Sequence, residues 1–327
     1  MRASVKCIFV TLVLCFVLPL VVDGAIRNVP GTYSTIQAGI NAASDGDTVL
    51  VADGTYTGAG NKNLDYAGKN IIVTSSGGAS VCIIDCEGSG RAFLFDDHEP
   101  STAEVSEFTI VNGDARSFAS SKFGGGIYCS GDASPVIRNC VFYNCQASFG
   151  GAIMTYSSVA GQIPEPRIEG CTLTDNIAHG ESGASWDFAG HGGAILCDSR
   201  SATTVIGCEI SGNSSYLNPA ATGGKGGGIC CYNADGVEII NCTIINNDYS
   251  QHDYGGGIHI ETSANVLVSG CIVEGNRGDY RGEGVCIYGS TDVTVEFSDI
   301  NANGTTSTSG YGHGLAVIES SDSILIN

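Results

Sequence analysis

Along most of the chain, apolar residues alternate with polar ones in short runs, and the runs are separated by glycine, serine and asparagine. If the apolar residue after each glycine group is position zero, the copies begin at Ile127, Ile153, Ile195, Ile229, Ile258, Val285 and Leu315. In the fourth copy apolar side chains fall at zero and plus two (Ile229, Cys231), at plus eight and ten (Val237, Ile239), and at plus thirteen and fifteen (Cys242, Ile244). Period two over runs this short predicts strands with one buried face and one wet face. Three such strands recur every 26 to 42 residues with no helical period between them. That is the pattern of one coil of a parallel β-helix, stacked on its neighbours at about 4.8 Å.

Stacking places like positions above one another, so the repeat predicts ladders of like side chains. Thirteen residues after zero come Cys140, Cys208, Cys242, Cys271 and Ser298, while Cys171 arrives five residues late because "SSVAGQIPEP" lengthens its copy. At plus eighteen, with the same delay in the second copy, stand Asn176, Asn213, Asn247, Asn276 and Asn303, and Cys145 takes that place in the first copy. Stacked asparagines can hydrogen-bond along the ladder and satisfy backbone groups in the turn. The cysteines are expected to be small buried apolar groups filling a corner. Parallel in-register stacking gives poor disulfide torsions, so the sequence leaves their redox state open. No metal site is expected among them, since the spacings Cys82/Cys86 and Cys140/Cys145 do not match a zinc pattern.

The opening residues have a different plan. Arg2 and Lys6 precede an apolar run from Cys7 to Val22 and then small residues, which predicts a secretory signal peptide over 1–24 and hence a secreted or cell-surface protein. Residues 25–70 are expected to form an N-terminal cap and lead-in strands. In "YSTIQAGINAASDGD", Ile36, Ile40 and Ala43 have helical spacing, and Ser34 with Gln37 has the form of a capping box. Residues 71–327 are expected to be the β-helix repeats. The last copy stops at Asn327, before its cysteine offset, so the chain reads as truncated there.

The formal net charge of −20 argues against nucleic acid as a partner and favours cations or neutral polymers. No stretch after the leader is apolar enough to span a bilayer. No cofactor is expected, calcium being the one ion such a surface would suit, and the sequence carries no signal for an oligomeric state.

The stretch "VPGTYSTIQAGINAASDGDTVLVADGTYTG", followed by "CIIDCEGSGRAF" and the "GGGIYC" coils, resembles the secreted bacterial right-handed parallel β-helix repeat proteins of the pectin-lyase-like superfamily. The recurring "GGAI", with Leu173 and Asn176 placed like a Phe-x-x-Asn partner, is also similar to the repeats of polymorphic outer-membrane adhesins. The resemblance implies an all-β, right-handed parallel β-helix of about eight to ten coils with a short capping helix. It implies the fold more than an activity, because the superfamily spans pectate lyases, polygalacturonases, other polysaccharide lyases and adhesins.

A lyase of that group would need carboxylates for calcium and an arginine base. Asp198 and Arg200 are the catalytic candidates, with Asp132 and Arg138 as further outward charges. A polygalacturonase would need paired carboxylates beside "GHG". Here "GHG" at Gly312–Gly314 aligns with the glycine groups, so His313 reads as a repeat variant. The ligand-binding candidates lie in the loops before the glycines. Position minus four reads Phe123, Phe149, His191, Lys225, Tyr254, Arg281 and Tyr311. The longest loop holds Trp186 and Asp187, with Tyr216 and Tyr280 in matching loops. Such aromatics could stack on sugar rings or close the coil corner against water. The expected function is a noncatalytic carbohydrate-associated or adhesion module whose partner is a polysaccharide or surface glycan. The alternatives are a calcium-dependent polysaccharide lyase and a structural stalk.

Overall fold

The computed structural model describes residues 24–118, 121–180, 190–216, 224–250, 255–278, 281–305, 314–320 and 325–326. The expected leader therefore lies outside the described residues. Each coil visits three principal sheets in turn. One coil uses Ile127–Ser130 in the first sheet, Val136–Arg138 in the second and Val141–Tyr143 in the third. Among the described residues these sheets have nine, eleven and nine strands respectively. Every ladder is parallel, and the repeat sets its register: Ile127 pairs with Ile153, Ile195 with Ile229, and Ile258 with Val285.

A short fourth strand follows the third in several coils, at Gln146–Ala147, Ile177–His179, Ser214–Tyr216 and Asp248–Ser250. The three-strand expectation missed it because two or three residues carry too little periodicity to read. The core is the column of zero and plus-two side chains with their partners from the other sheets. It is aromatic near the N-terminus, where Tyr66, Phe93, Phe95, Phe108 and Phe142 are fully buried, and aliphatic in later coils.

The capping helix, α1 (Ile36–Ala42), lies beside Ile26–Val29 and Thr48–Val51, the first strands of the second sheet. Ile36 and Ile40 face the core, and Gly39 is required there, since a Cβ would come within 2.8 Å of Val49 Cγ1. The capping-box expectation is corrected in detail. Thr35, in extended backbone, is the N-cap, and its Oγ1 accepts the Ala38 N–H at 3.2 Å. Gln37 instead turns to residue 65, donating to the Asp65 carbonyl and accepting its N–H, both at 2.9 Å.

The asparagine ladder is continuous from Asn176 to Asn303. Asn213 shows the unit: its Oδ1 accepts the Asn176 N–H and Nδ2–H, and its own Nδ2 donates to the Leu173 carbonyl and to Asn247 Oδ1, all at 2.8–2.9 Å. Cys145 ends the row by donating its N–H to Asn176 Oδ1.

The cysteine ladder does more than fill space. Each thiol reaches a carbonyl of the preceding coil and one of its own. Cys208 Sγ lies 3.6 Å from the Ile168 carbonyl and 3.5 Å from that of Ile206, and Cys242 and Cys271 repeat the geometry. Ser298 takes over in the next coil, donating to the Glu296 carbonyl at 2.8 Å. All thirteen described cysteines are buried and free.

Candidate functional site: a groove along the first corner

The outer face of the first sheet is layered. Nearest the sheet lie the plus-one residues Tyr128, Met154, Leu196 and Cys230, all buried. The described part of the minus-four column covers them. Phe123 and Phe149 meet edge to face with centroids 5.6 Å apart, and His191 follows at 6.3 Å from Phe149. His191 is only 2% exposed and its ring also contacts Tyr232 at 5.5 Å. Among the described residues this column therefore packs against the sheet, and its ring faces are spent on one another.

Beyond the column runs the plus-three row, in coil order Ser130, Tyr156, Asp198, Tyr232, Glu261, Tyr288 and Ile318, each half-buried. Register places Asp198 on Tyr232, Tyr232 on Glu261 and Glu261 on Tyr288. Burial raises the Asp198 carboxyl to about 6, despite the Ser199 hydroxyl at 3.1 Å. Burial would also raise Glu261, but a hydrogen bond from His259 at 2.8 Å and the Lys225 ammonium at 2.7 Å hold it near 2. Lys225 also lies over the Tyr232 ring, 5.0 Å from its centroid. His259 is fully buried, and that burial holds it below the usual histidine range.

Next to this row, where the first sheet turns into the second, the corner opens into a groove of about 550 Å³. Its floor is the plus-four line of four successive coils, Ser157, Ser199 with Arg200, Asn233 and Thr262. Its outer wall is the "SSVAGQIPEP" excursion, through Ser158, Val159, Ala160 and Gln162, and Tyr156 closes one edge. The backbone of the floor is fixed by the coil stack: Arg200 N–H donates to the Asn233 carbonyl at 2.7 Å and Asn233 N–H to that of Glu261 at 3.0 Å. Ser199 and Arg200 are consecutive left-handed residues, with φ of 50° and 68°. Left-handed backbone recurs along the plus-four line, at Asn233 and Thr262 as at Ser199, so it belongs to the repeat, and Arg200 one place further on is the departure from it.

Arg200 is exposed, and among the described residues it makes no ion pair with a carboxylate; Asp198 stays in the outer row beside it. Among the described residues, no carboxylate lines the groove. The two catalytic candidates are thus brought to the same corner without facing each other across it. The other outward charges are structurally engaged, Asp132 by His98 and Arg138 by Glu104 and Glu169. Trp186, Asp187, Tyr254 and Tyr280 lie outside the described residues, as do Tyr311 and His313 and the side chain of Tyr216.

Two other polar clusters stand elsewhere on the described surface. A cleft of about 400 Å³ on the third corner is lined by Asp85, Glu87, Asn112, Asp114, Asn144 and Gln146. Its carboxylates are already occupied: Asp85 by the Asn112 amide, Glu87 by Lys62 and the Gly58 N–H, and Asp114 by Arg116. Asp65, Asp96 and Asp97 bring carboxylate oxygens within 4.8 Å of one another, a donor set suited to a hard cation such as calcium.

Residues 167–327 match the family model of the right-handed β-helix region. No curated protein matches the chain in sequence. Among solved structures it is similar to the A-module of mannuronan C-5 epimerase AlgE4 from Azotobacter vinelandii, with 12% identity, 94% of this chain and 95% of that one covered, and a TM-score of 0.37. It is also similar to the catalytic domain of a GH87 α-1,3-glucanase in complex with tetrasaccharides, with 9% identity, 92% and 66% coverage, and a TM-score of 0.44. A mannuronic acid specific polysaccharide family 6 lyase from human gut microbiota aligns with 11% identity, 88% and 78% coverage, and a TM-score of 0.38. With the family match over residues 167–327 and the second sheet running from Ile26 to Ile326, the described residues have the fold of a right-handed parallel β-helix.

Proposed function

We propose that this protein is an exported, noncatalytic polysaccharide-binding module that holds a neutral glycan chain in the groove beside Tyr156 and Arg200. The observation that carries the reading is the make-up of the groove. Among the described residues it offers hydroxyls, amides and one guanidinium on a backbone fixed by the coil stack, with an aromatic edge and no lining carboxylate. Such a surface suits sugar hydroxyls, which need several hydrogen-bond partners of modest strength and an apolar face to lie on. A net charge of −20 repels polyanions, so a neutral chain is the better fit. General acid–base work on a sugar needs a titratable pair aimed at one bond, and the described lining of the groove holds none.

Calorimetric titration with neutral polysaccharides such as mannan, xylan and β-glucan, beside polygalacturonate and polymannuronate, tests the reading. Binding to a neutral polymer that is lost in Arg200→Ala and weakened in Tyr156→Ala is the expected result. Unsaturated product from either polyuronate, followed by its ultraviolet absorbance, would replace the binding module with a lyase.

A further inference from the structure

The thiol row stands at the corner between the second and third sheets. Cys140, Cys171, Cys208, Cys242 and Cys271 fill one position in five consecutive coils. The residue after each of the last four donates its N–H to the carbonyl of the cysteine one coil back, at 2.9 Å, so the sulfurs follow the coil rise. That rise is about 4.8 Å. Cys208 hydrogen-bonds with Cys171 and Cys242, and Cys242 in turn with Cys271. The Cys171 contact pushes Cys208 up to about 12, the Cys208 contact does the same to Cys242, and burial adds to both. The turn above the row is thin. Gly170, Gly207 and Gly270 precede three of the cysteines in left-handed backbone, and a Cβ on Gly207 would meet nothing within 4 Å.

The sequence spacings argue against zinc, and among the described residues no three thiols come close enough to share one ion. A straight row offers pairs instead. Two thiolates on opposite sides of an ion hold their sulfurs about 4.6 Å apart if each bond resembles the roughly 2.3 Å of zinc and sulfur, which is close to the coil rise. Thiolates select soft ions such as copper(I). We infer that the row is a linear site for copper(I), each ion held between the sulfurs of two neighbouring coils. Five sulfurs leave four such gaps. The first ion breaks two S–H bonds, forms two S–Cu bonds and releases two protons. An ion in an adjoining gap shares one sulfur, so it releases one proton and adds no net charge to the interior. Copper stays in the +1 state throughout, and nothing is oxidised. The Ile206 carbonyl, which loses a thiol donor when Cys208 is metallated, still accepts the Gly170 N–H at 3.0 Å.

The test is titration of the full chain, its thiols reduced and under argon, with copper(I) supplied as the bicinchoninate complex. Copper withdrawn from that complex, proton release and near-ultraviolet sulfur-to-copper absorbance are read together. Cys208→Ser removes the two gaps beside it and should lower uptake by about two ions, whereas Cys140→Ser removes one gap and should lower it by about one. Cys242→Ser also borders two gaps and repeats the first result independently should Cys208→Ser fail to fold, as circular dichroism reads for each variant. Cys129→Ser is the control. Its register partners are Phe95 and Thr155, so it should leave uptake unchanged. Because protons held at about 12 must leave, uptake should strengthen as the pH rises. No uptake by the wild type, equal losses in Cys208→Ser and Cys140→Ser, or a loss in Cys129→Ser as large as either overturns the site. Copper bound without proton release or sulfur absorbance is an adventitious ion only, on surface carboxylates, and overturns it equally.

Discussion

Two corners of the same solenoid show how a repeat separates architecture from a site. Past the third sheet, coil after coil places an asparagine at one position, and each amide serves its neighbours in the same way. Past the first sheet, the plus-four line reads Ser157, Ser199, Asn233 and Thr262, with Arg200 beside Ser199. Uniformity at the first of these corners leaves no polar group to spare for a ligand. Variety at the other leaves hydroxyls, an amide and a guanidinium pointing into a groove. A position that repeats is satisfied by its own copies, and a position that departs from the repeat is available for something else.

The comparison breaks most visibly under truncation. Asn213→Ala removes two acceptor and two donor hydrogen bonds at a site with no solvent access, leaving the Asn176 N–H and the Leu173 carbonyl without those partners. The expected loss is about 3 kcal/mol or more in denaturant unfolding. Thr262→Ala in the groove floor should change stability by roughly 0.5 kcal/mol or less. Equal costs at the two corners would end the distinction.

Acid should separate the regions next. Glu261 has an ordinary value of 4.5 and sits near 2 in the folded chain, so its folded form is depressed. Its stabilisation is then complete above the unfolded value and is lost as the pH falls from 4.5 towards 2. The wild type should lose on the order of 2 kcal/mol through that window beyond what Glu261→Gln loses, by urea unfolding at stepped pH. The asparagine ladder is neutral throughout, so the effect of Asn213→Ala should be the same at both ends of the window.

The sequence showed the satisfied half of the molecule better than the available half. Period two at Ile229 to Ile244, and the recurrence of asparagine at plus eighteen, led directly to the coil and its ladder, because identity at a fixed offset is visible in one chain. The role of the cysteines was hidden. A thiol in a core position looks apolar, and only the turn geometry shows that Cys208 donates to carbonyls of two coils. Cys208→Ser keeps a donor for these carbonyls and should cost less than Cys208→Ala, which should cost about 1 kcal/mol. The groove was harder still, since Ser157, Asn233 and Thr262 share no chemistry that a motif could capture. Its signal was the five-residue excursion after Tyr156, which reads as a delay in the repeat and proves to be a wall.

The finest test sits at Arg200, where the two demands on the chain meet. Its φ of 68° is a conformation glycine adopts freely and arginine does not. Its backbone hydrogen bond to the Asn233 carbonyl needs only the peptide N–H, which any residue but proline supplies. Arg200→Gly should thus keep the coil stack and relieve the strain, against some gain in unfolded-chain entropy. The net expectation is a stabilisation of about 0.5 kcal/mol with loss of glycan binding. Arg200→Ala keeps the left-handed strain and loses the guanidinium, so it should lose binding without that gain. Thermal unfolding of the two variants side by side separates backbone from side chain. If glycine is the less stable of the pair, the left-handed backbone at Arg200 is no burden on the fold.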